Sequence, residues 1–157
     1  MSYAIRRARI DDIEAVRNIE TASFADPWSV SMITDDILDR ELGIRTFVLT
    51  VDGHTAGYYF YYPLSSDLAN LAVAPEYRGR GYGRILLMHC IEEARKDESP
   101  ELFLEVRESN LAARKLYQSC GFEIISRRKD YYTHPREDGL VMLLRINDGI
   151  KHEDISH

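Results

Sequence analysis

The sequence predicts a mixed α/β (α+β) domain of about seven strands and about four helices, in the order β-α-α-β-β-β-α-β-α-β-β. Three observations carry that prediction. Apolar residues recur at helical spacing near the N-terminus, at Ile13, Val16 and Ile19. From Thr46 to Val73 the pattern becomes that of short strands. In LAVAPEYRGRGYGRILL a strand ends in a loop of Gly and Arg that opens directly into a helix.

Taken in order, Tyr3 to Arg9 reads as a first strand. Asp11, with Glu14 three residues on, has the pattern of a capping box for a helix from Asp12 to about Ser23, which Asp26-Pro27 stops. Ser29 suits the N-cap of a second helix through Leu38. TFVLTV and HTAGYYFYY, joined by Asp52-Gly53, read as a hairpin, because Asp-Gly accepts the positive φ of a type I′ turn. DLANLAVAP adds a strand ended by Pro75. Gly81 to Lys96 is a long helix whose broad apolar face combines Ile85, Leu86, Leu87, Met88, Cys90, Ile91 and Ala94. ELFLEV is a short strand that reads as buried, and Asn110 suits the N-cap of a helix to Ser119, with Gly121 just beyond its end. FEIISRRKDYY and GLVMLLRI close the chain as strands. The 157 residues suit one domain, placed at 1–146, and the polar tail 147–157 is expected to fray.

Hydrophobic residues at 45% and charged residues at 29% are ordinary globular usage. No run reaches the ~18 apolar residues of a membrane span, and the first residues lack the apolar block of a signal peptide, so a cytoplasmic protein with no membrane partner is expected. Cys90 and Cys120 have neither Cys-x-x-Cys spacing nor a nearby His, so reduced thiols and no metal are expected. A net charge of −6 argues against nucleic acid as a partner and suits a cationic one. Monomer and homodimer both stay open.

The chemistry concentrates in the Gly/Arg loop. Glycines at 79, 81 and 83 let a backbone approach a ligand, the free amides of the helix's first turn point at it, and Arg78, Arg80 and Arg84 add positive charge to an acidic protein. A P-loop would need Gly-Lys-Ser/Thr, and a dinucleotide fingerprint would need Gly where Arg84 stands. A solvated strand-to-helix turn is the plainer reading.

Arg78-Gly79-Arg80-Gly81-Tyr82-Gly83 resembles the Q/R-x-x-G-x-G/A pyrophosphate loop of the GNAT acetyltransferases. The preceding strand with Leu71, Ala72 and Val73, the segment LEVRESNLAARKLYQSCGF, the ending RKDYY...EDGLVML and the FADPWS loop fall in the family's order. Together they resemble most the ribosomal-protein (RimI-type) and archaeal N-terminal acetyltransferases. The resemblance implies a GNAT fold with a mixed, mostly antiparallel central sheet. It departs at Gly139, often Ala in the family, and in the tail after Arg145, neither of which is expected to touch the chemistry.

Carried over residue by residue, the resemblance places acetyl-CoA contacts on Leu71, Ala72 and Val73, whose backbone would hold the pantetheine arm as though it were another strand. It adds Arg78, Gly79, Arg80, Gly81, Tyr82, Gly83 and Arg84, and Asn110. Helix capping alone also accounts for Asn110, and both roles can hold because a carboxamide has separate donor and acceptor atoms. The resemblance makes Glu105 the general base and Tyr117 the general acid. On the residues alone, Glu105 also reads as an ion-pair partner of Arg107 or another Arg, since an unpaired carboxylate in an apolar strand is costly, and Tyr117 as a core tyrosine.

Ten tyrosines are present, with Tyr58, Tyr59, Tyr61 and Tyr62 on one strand and Tyr131-Tyr132 on another. Half of each alternating run is expected to face the core, and the other half either lines a peptide groove or packs too. Phe24, Trp28 and Tyr131 are the acceptor-binding candidates. The implied reaction moves the acetyl group of acetyl-CoA, a co-substrate, to the N-terminal α-amine of a protein or peptide. A small-amine or lysine acetyltransferase and a non-catalytic acyl-CoA-binding module are the alternatives, the last disfavoured by the presence of both Glu105 and Tyr117.

Overall fold

Asp52 and Gly53 take φ of 50° and 84°, as a type I′ turn requires, and the hairpin they close pairs Val51 with His54. The computed structural model describes residues 2–146; the tail 147–157, predicted to fray, lies outside the described residues. Among the described residues seven strands and four α-helices follow the predicted order, with short 3-10 turns at Ile10–Asp12 and Pro75–Tyr77. The chain groups into two units that divide between Leu87 and Met88.

In the first unit β1 (Tyr3–Arg7), β2 (Arg45–Val51), β3 (His54–Tyr62) and β4 (Asp67–Val73) pair antiparallel in that order. Helices α1 (Ile13–Ser23) and α2 (Val30–Ile37) bring Val16, Ile19 and Ile33 into one cluster with Val48, Tyr58, Phe60 and Ala72. Ser29 caps α2 as predicted, its Oγ accepting the Met32 amide at 3.1 Å. The start of α1 differs from expectation. Asp12, not Asp11, accepts an amide, that of Arg9 at 2.7 Å, because Arg6 on β1 pairs with the same carboxylate at 2.7 Å. That choice depends on a contact between elements, which local spacing does not carry.

The tyrosine run on β3 follows one of the two readings left open, that in which the second row packs too. Tyr58, Tyr59 and Tyr61 are all fully buried, and Tyr62 is half-buried. Tyr58 joins the helix-covered cluster, whereas Tyr59 stacks on Phe47 at 5.2 Å, Arg7 lies over Phe47 and Arg45 over Tyr61. Stacked rings and guanidinium planes thus line the second row as well, and β3 offers no open row for a peptide.

Helix α3 (Tyr82–Lys96) runs across the division, and Met88, predicted on its apolar face, is exposed because its neighbours Leu86, Leu87, Cys90 and Ile91 already fill the buried arc. In the second unit β7 (Arg136–Arg145) pairs antiparallel with both β5 (Glu101–Arg107) and β6 (Glu123–Thr133). Helix α4 (Leu111–Ser119) starts as predicted, with Asn110 Oδ1 accepting the Ala113 amide at 3.2 Å. A bulge interrupts the β6–β7 ladder between Arg128 and Tyr132. Cys90 is buried and Cys120 half-buried, both unbridged. Among the described residues no helix is long and apolar enough to cross a membrane.

Candidate functional site

The Gly/Arg loop in the first unit is shaped by its own residues. Gly79 and Gly81 have φ of 77° and 87°, where a side chain would be strained, and neither faces a neighbour within 4 Å. The first intrahelical bond of α3 runs from Ile85 N to Gly81 O at 3.1 Å, so the amides of Tyr82, Gly83 and Arg84 precede the hydrogen-bonded ladder. Arg78, Gly79, Arg80, Gly81 and Arg84 are all exposed. Such a turn can receive an anion such as a pyrophosphate.

Two loop residues have a structural task that their sequence positions do not reveal. Arg78 donates from Nε to Val73 O and from Nη2 to Ser23 Oγ, each at 2.9 Å, tying the end of β4 to the end of α1. Tyr82 is buried, with its ring edge-on to Tyr3 and Tyr77 at 6.2 and 6.3 Å, so only its backbone is available to a ligand. Arg80 lies over the Tyr77 ring. On β4, Leu71, Ala72 and Val73 pair with Tyr59, Tyr58 and Gly57. Ala72 is buried, and Leu71 and Val73 are half-buried.

The two acceptor candidates of the first unit part company. Phe24 is exposed at the end of α1. Trp28 is half-buried, its ring 4.9 Å from Phe60 and 6.5 Å from Tyr62, and its backbone amide donates to Glu20 Oε2 at 2.7 Å. Trp28 is therefore first a wall residue of the α1–α2 segment. Glu20 was invisible as a functional residue in the sequence, although its place four residues after Val16, on the apolar stripe of α1, was a signal that this carboxylate is buried.

In the second unit Glu105 does not lie in the apolar surroundings predicted for it. On β5 Leu102, Leu104 and Val106 turn to the buried face, and the intervening Glu105 side chain is 34% exposed. The ion pair expected with Arg107 or another Arg takes the second form. Arg107 bonds Glu137 Oε1 at 2.9 Å and the carbonyls of Pro135 and His134, and lies 4.2 Å over the Tyr132 ring. Arg128 Nη2 approaches Glu105 instead, at 3.9 Å.

Tyr117 is buried on α4 with its ring 5.9 Å from Phe122, and burial pushes its hydroxyl up to about 12, with Tyr132 and Cys90 adding smaller effects. It is a phenol, not a phenolate, throughout the neutral range. Tyr132, which sequence reasoning passed over for Tyr131, is also pushed up to about 12, first by burial and then by the charge of Glu105. Tyr131 is 46% exposed, with Arg128 over its ring at 5.3 Å. Asn110 spends its Oδ1 on capping, which leaves the Nδ2 hydrogens to any other partner. Among the described residues no group of three or more His, Cys, Asp or Glu side chains is placed to hold a metal ion.

Comparison with known proteins shows the family. Residues 13–122 match the Acetyltransferase (GNAT) family. The Escherichia coli (strain K12) ribosomal protein bS18-alanine N-acetyltransferase is 39% identical over 140 residues, covering 87% of this chain and 93% of that protein. A crystal structure of the E. coli ribosomal-protein-S18-alanine N-acetyltransferase aligns with a TM-score of 0.83 at 36% identity, over 92% of this chain and 94% of that one. Ard1 from Thermoplasma volcanium aligns with a TM-score of 0.84 at 25% identity, over 93% and 99%. The chain belongs to the GNAT family of acetyltransferases, enzymes that take their acetyl group from acetyl-CoA.

Proposed function

We propose that this enzyme acetylates the N-terminal α-amine of a protein, with the alanine terminus of ribosomal protein bS18 as the acceptor to test first. The observation that carries the reading is the 39% identity to an enzyme named for that acceptor, extending over 87% of the chain. Glu105 is the general base and Tyr117 the general acid in this reading.

The reaction needs a neutral amine nitrogen to attack the thioester carbonyl carbon. The C–N bond forms, the C–S bond breaks, the amine loses a proton and the departing thiolate gains one. An α-amine of pKa ~8 is about a tenth neutral at pH 7, so its deprotonation costs only ~1.4 kcal/mol, against ~4.6 kcal/mol for a lysine amine of pKa ~10.4. One accessible carboxylate, directly or through a water, suits the first task better than the second. Tyr117, still protonated well above neutrality, supplies the proton to sulfur.

The pyrophosphate of acetyl-CoA is held by the loop Arg78 to Arg84, its pantetheine arm by the backbone of Leu71, Ala72 and Val73, and Asn110 offers its Nδ2 donor. Phe24, Trp28 and Tyr131 line the acceptor's path. The whole of 1–146 acts as one catalytic domain in the cytoplasm, with neither metal nor nucleic acid required. The test offers a short alanine-first bS18 peptide, and the same peptide with its α-amine blocked and a lysine present, and locates the acetyl group by mass spectrometry. Acetylation at the α-amine is expected. Predominant lysine acetylation, or faster turnover of a free polyamine, transfers support to a small-amine or lysine acetyltransferase.

A further inference from the structure

We propose that Glu20 is a positioning residue for the acceptor: together with Arg17, its carboxylate fixes the Trp28 backbone and so holds the 24–29 segment in the shape that receives a polypeptide N-terminus. The inference rests on the acceptor reading above.

Glu20 is fully buried, and three neutral donors converge on it. Trp28 N donates to Oε2 at 2.7 Å, while the Tyr58 hydroxyl and Asn70 Nδ2 both donate to Oε1. Arg17, one helical turn earlier on α1, donates from Nη1 to Trp28 O. Both backbone polar atoms of Trp28, its N–H and its C=O, are thus gripped by two side chains three residues apart on one helix. Nothing in core packing asks for a carboxylate there, since an apolar side chain of similar size is cheaper to bury. What the carboxylate adds is a connection. It joins the FADPWS segment to the middle of β3 through Tyr58, and to β4 through Asn70, the residue of that strand just before Leu71, Ala72 and Val73, which are proposed to hold the pantetheine arm.

A carboxamide can keep this arrangement. Trp28 N–H can only donate, whereas the Tyr58 hydroxyl and the Asn70 amide can each present an acceptor to an NH₂ group. Glu20→Gln is therefore the conservative variant, and Glu20→Leu the disruptive one.

The experiment measures KM for a bS18 N-terminal peptide, KM for acetyl-CoA and kcat in the unaltered enzyme, Glu20→Leu, Glu20→Gln and Arg17→Met, together with amide hydrogen exchange at Trp28. Glu20→Leu is expected to raise the peptide KM roughly tenfold or more, with kcat and the acetyl-CoA KM within about threefold. Glu20→Gln recovers most of that loss, and Arg17→Met shows a smaller increase of the same kind. An unchanged peptide KM in Glu20→Leu with accelerated exchange at Trp28 overturns the proposal, as do equal losses toward peptide and acetyl-CoA, which mark general damage. If Glu20→Leu does not fold, Arg17→Met and the unaltered enzyme decide: a Trp28 amide that exchanges as fast as that of Ala25, or an unchanged peptide KM in Arg17→Met, overturns it. An unaltered enzyme that acetylates no peptide α-amine overturns the acceptor reading itself, and the proposal with it.

Discussion

Gly139 lies directly against Tyr131: a Cβ added at Gly139 would stand 3.0 Å from Tyr131 Cδ2 and 3.3 Å from its Cβ, with Tyr132 Cε2 also at 3.3 Å. The departure at Gly139 is expected not to touch the chemistry, and its contact with Tyr131, a proposed acceptor residue, makes that expectation testable. Across the ladder Gly139 faces Arg128, at the start of the β6 bulge that carries Tyr131. Gly139→Ala is expected to displace the exposed Tyr131 ring, at an overpacking cost of about 1–3 kcal/mol if the ring cannot move freely. Peptide KM is the measurement, with Tyr131→Ala as comparator. If Gly139→Ala leaves peptide KM unchanged while Tyr131→Ala raises it, the ring seats elsewhere without loss.

Gly81→Asp tests the loop. The substitution puts a β-carbon at a φ of 87° and a negative charge beside the amides proposed for the pyrophosphate. Calorimetry is expected to show acetyl-CoA affinity falling by at least about tenfold, since the turn is strained and a like charge is set beside the phosphates. Equal affinity in a folded variant argues that the cofactor binds elsewhere.

Glu105→Gln and Tyr117→Phe are each expected to lower kcat by roughly 10²- to 10⁴-fold with acetyl-CoA binding nearly unchanged. Because burial keeps the Tyr117 hydroxyl up at about 12, its deprotonation begins to matter only well above pH 10. The kcat profile of the unaltered enzyme is therefore flat on its basic side between pH 8 and 10, to about twofold. A basic limb in that range that disappears in Tyr117→Phe assigns Tyr117 a different protonation state.

Much of this was legible in the sequence, and the reason is locality. Asp52-Gly53, Ser29 and Asn110 each act on amides one to three residues away, so turn and capping rules found them. Local spacing points to Asp11 and the structure uses Asp12, because the partner that decides, Arg6, sits on another element. Glu105 was read from its apolar neighbours in sequence, but in a strand the immediate neighbours point to the opposite face. Arg78 reads as a ligand for an anion because charge is visible in a sequence; its further bonds to Val73 O and Ser23 Oγ are not.

The Arg6–Asp12 pair makes a prediction about acid. The Arg6 guanidinium, aided by the Arg9 amide, holds the Asp12 carboxyl below its usual range despite the opposing effect of burial. A carboxyl depressed on folding stabilises the native state above its unfolded pKa of ~3.9, and that contribution disappears as pH falls through the folded value. Asp12→Asn is therefore expected to lower Tm at pH 7 by several degrees, at ~2–4 °C per kcal/mol for a chain of this size. The difference from the unaltered protein shrinks as the pH is taken below ~3.5. A constant difference across that range removes the ion pair as its cause.

Trp28 is the one tryptophan in the chain, and it stands against Phe60 and Tyr62 in the segment that Glu20 and Arg17 clasp. Its emission therefore comes from a single, known place, free of the averaging that several indoles impose. Selectively excited fluorescence becomes a built-in gauge of that segment: peptide arrival that shifts its colour or intensity can be followed in a stopped-flow mixing experiment with unlabelled enzyme, before any acetyl group has moved.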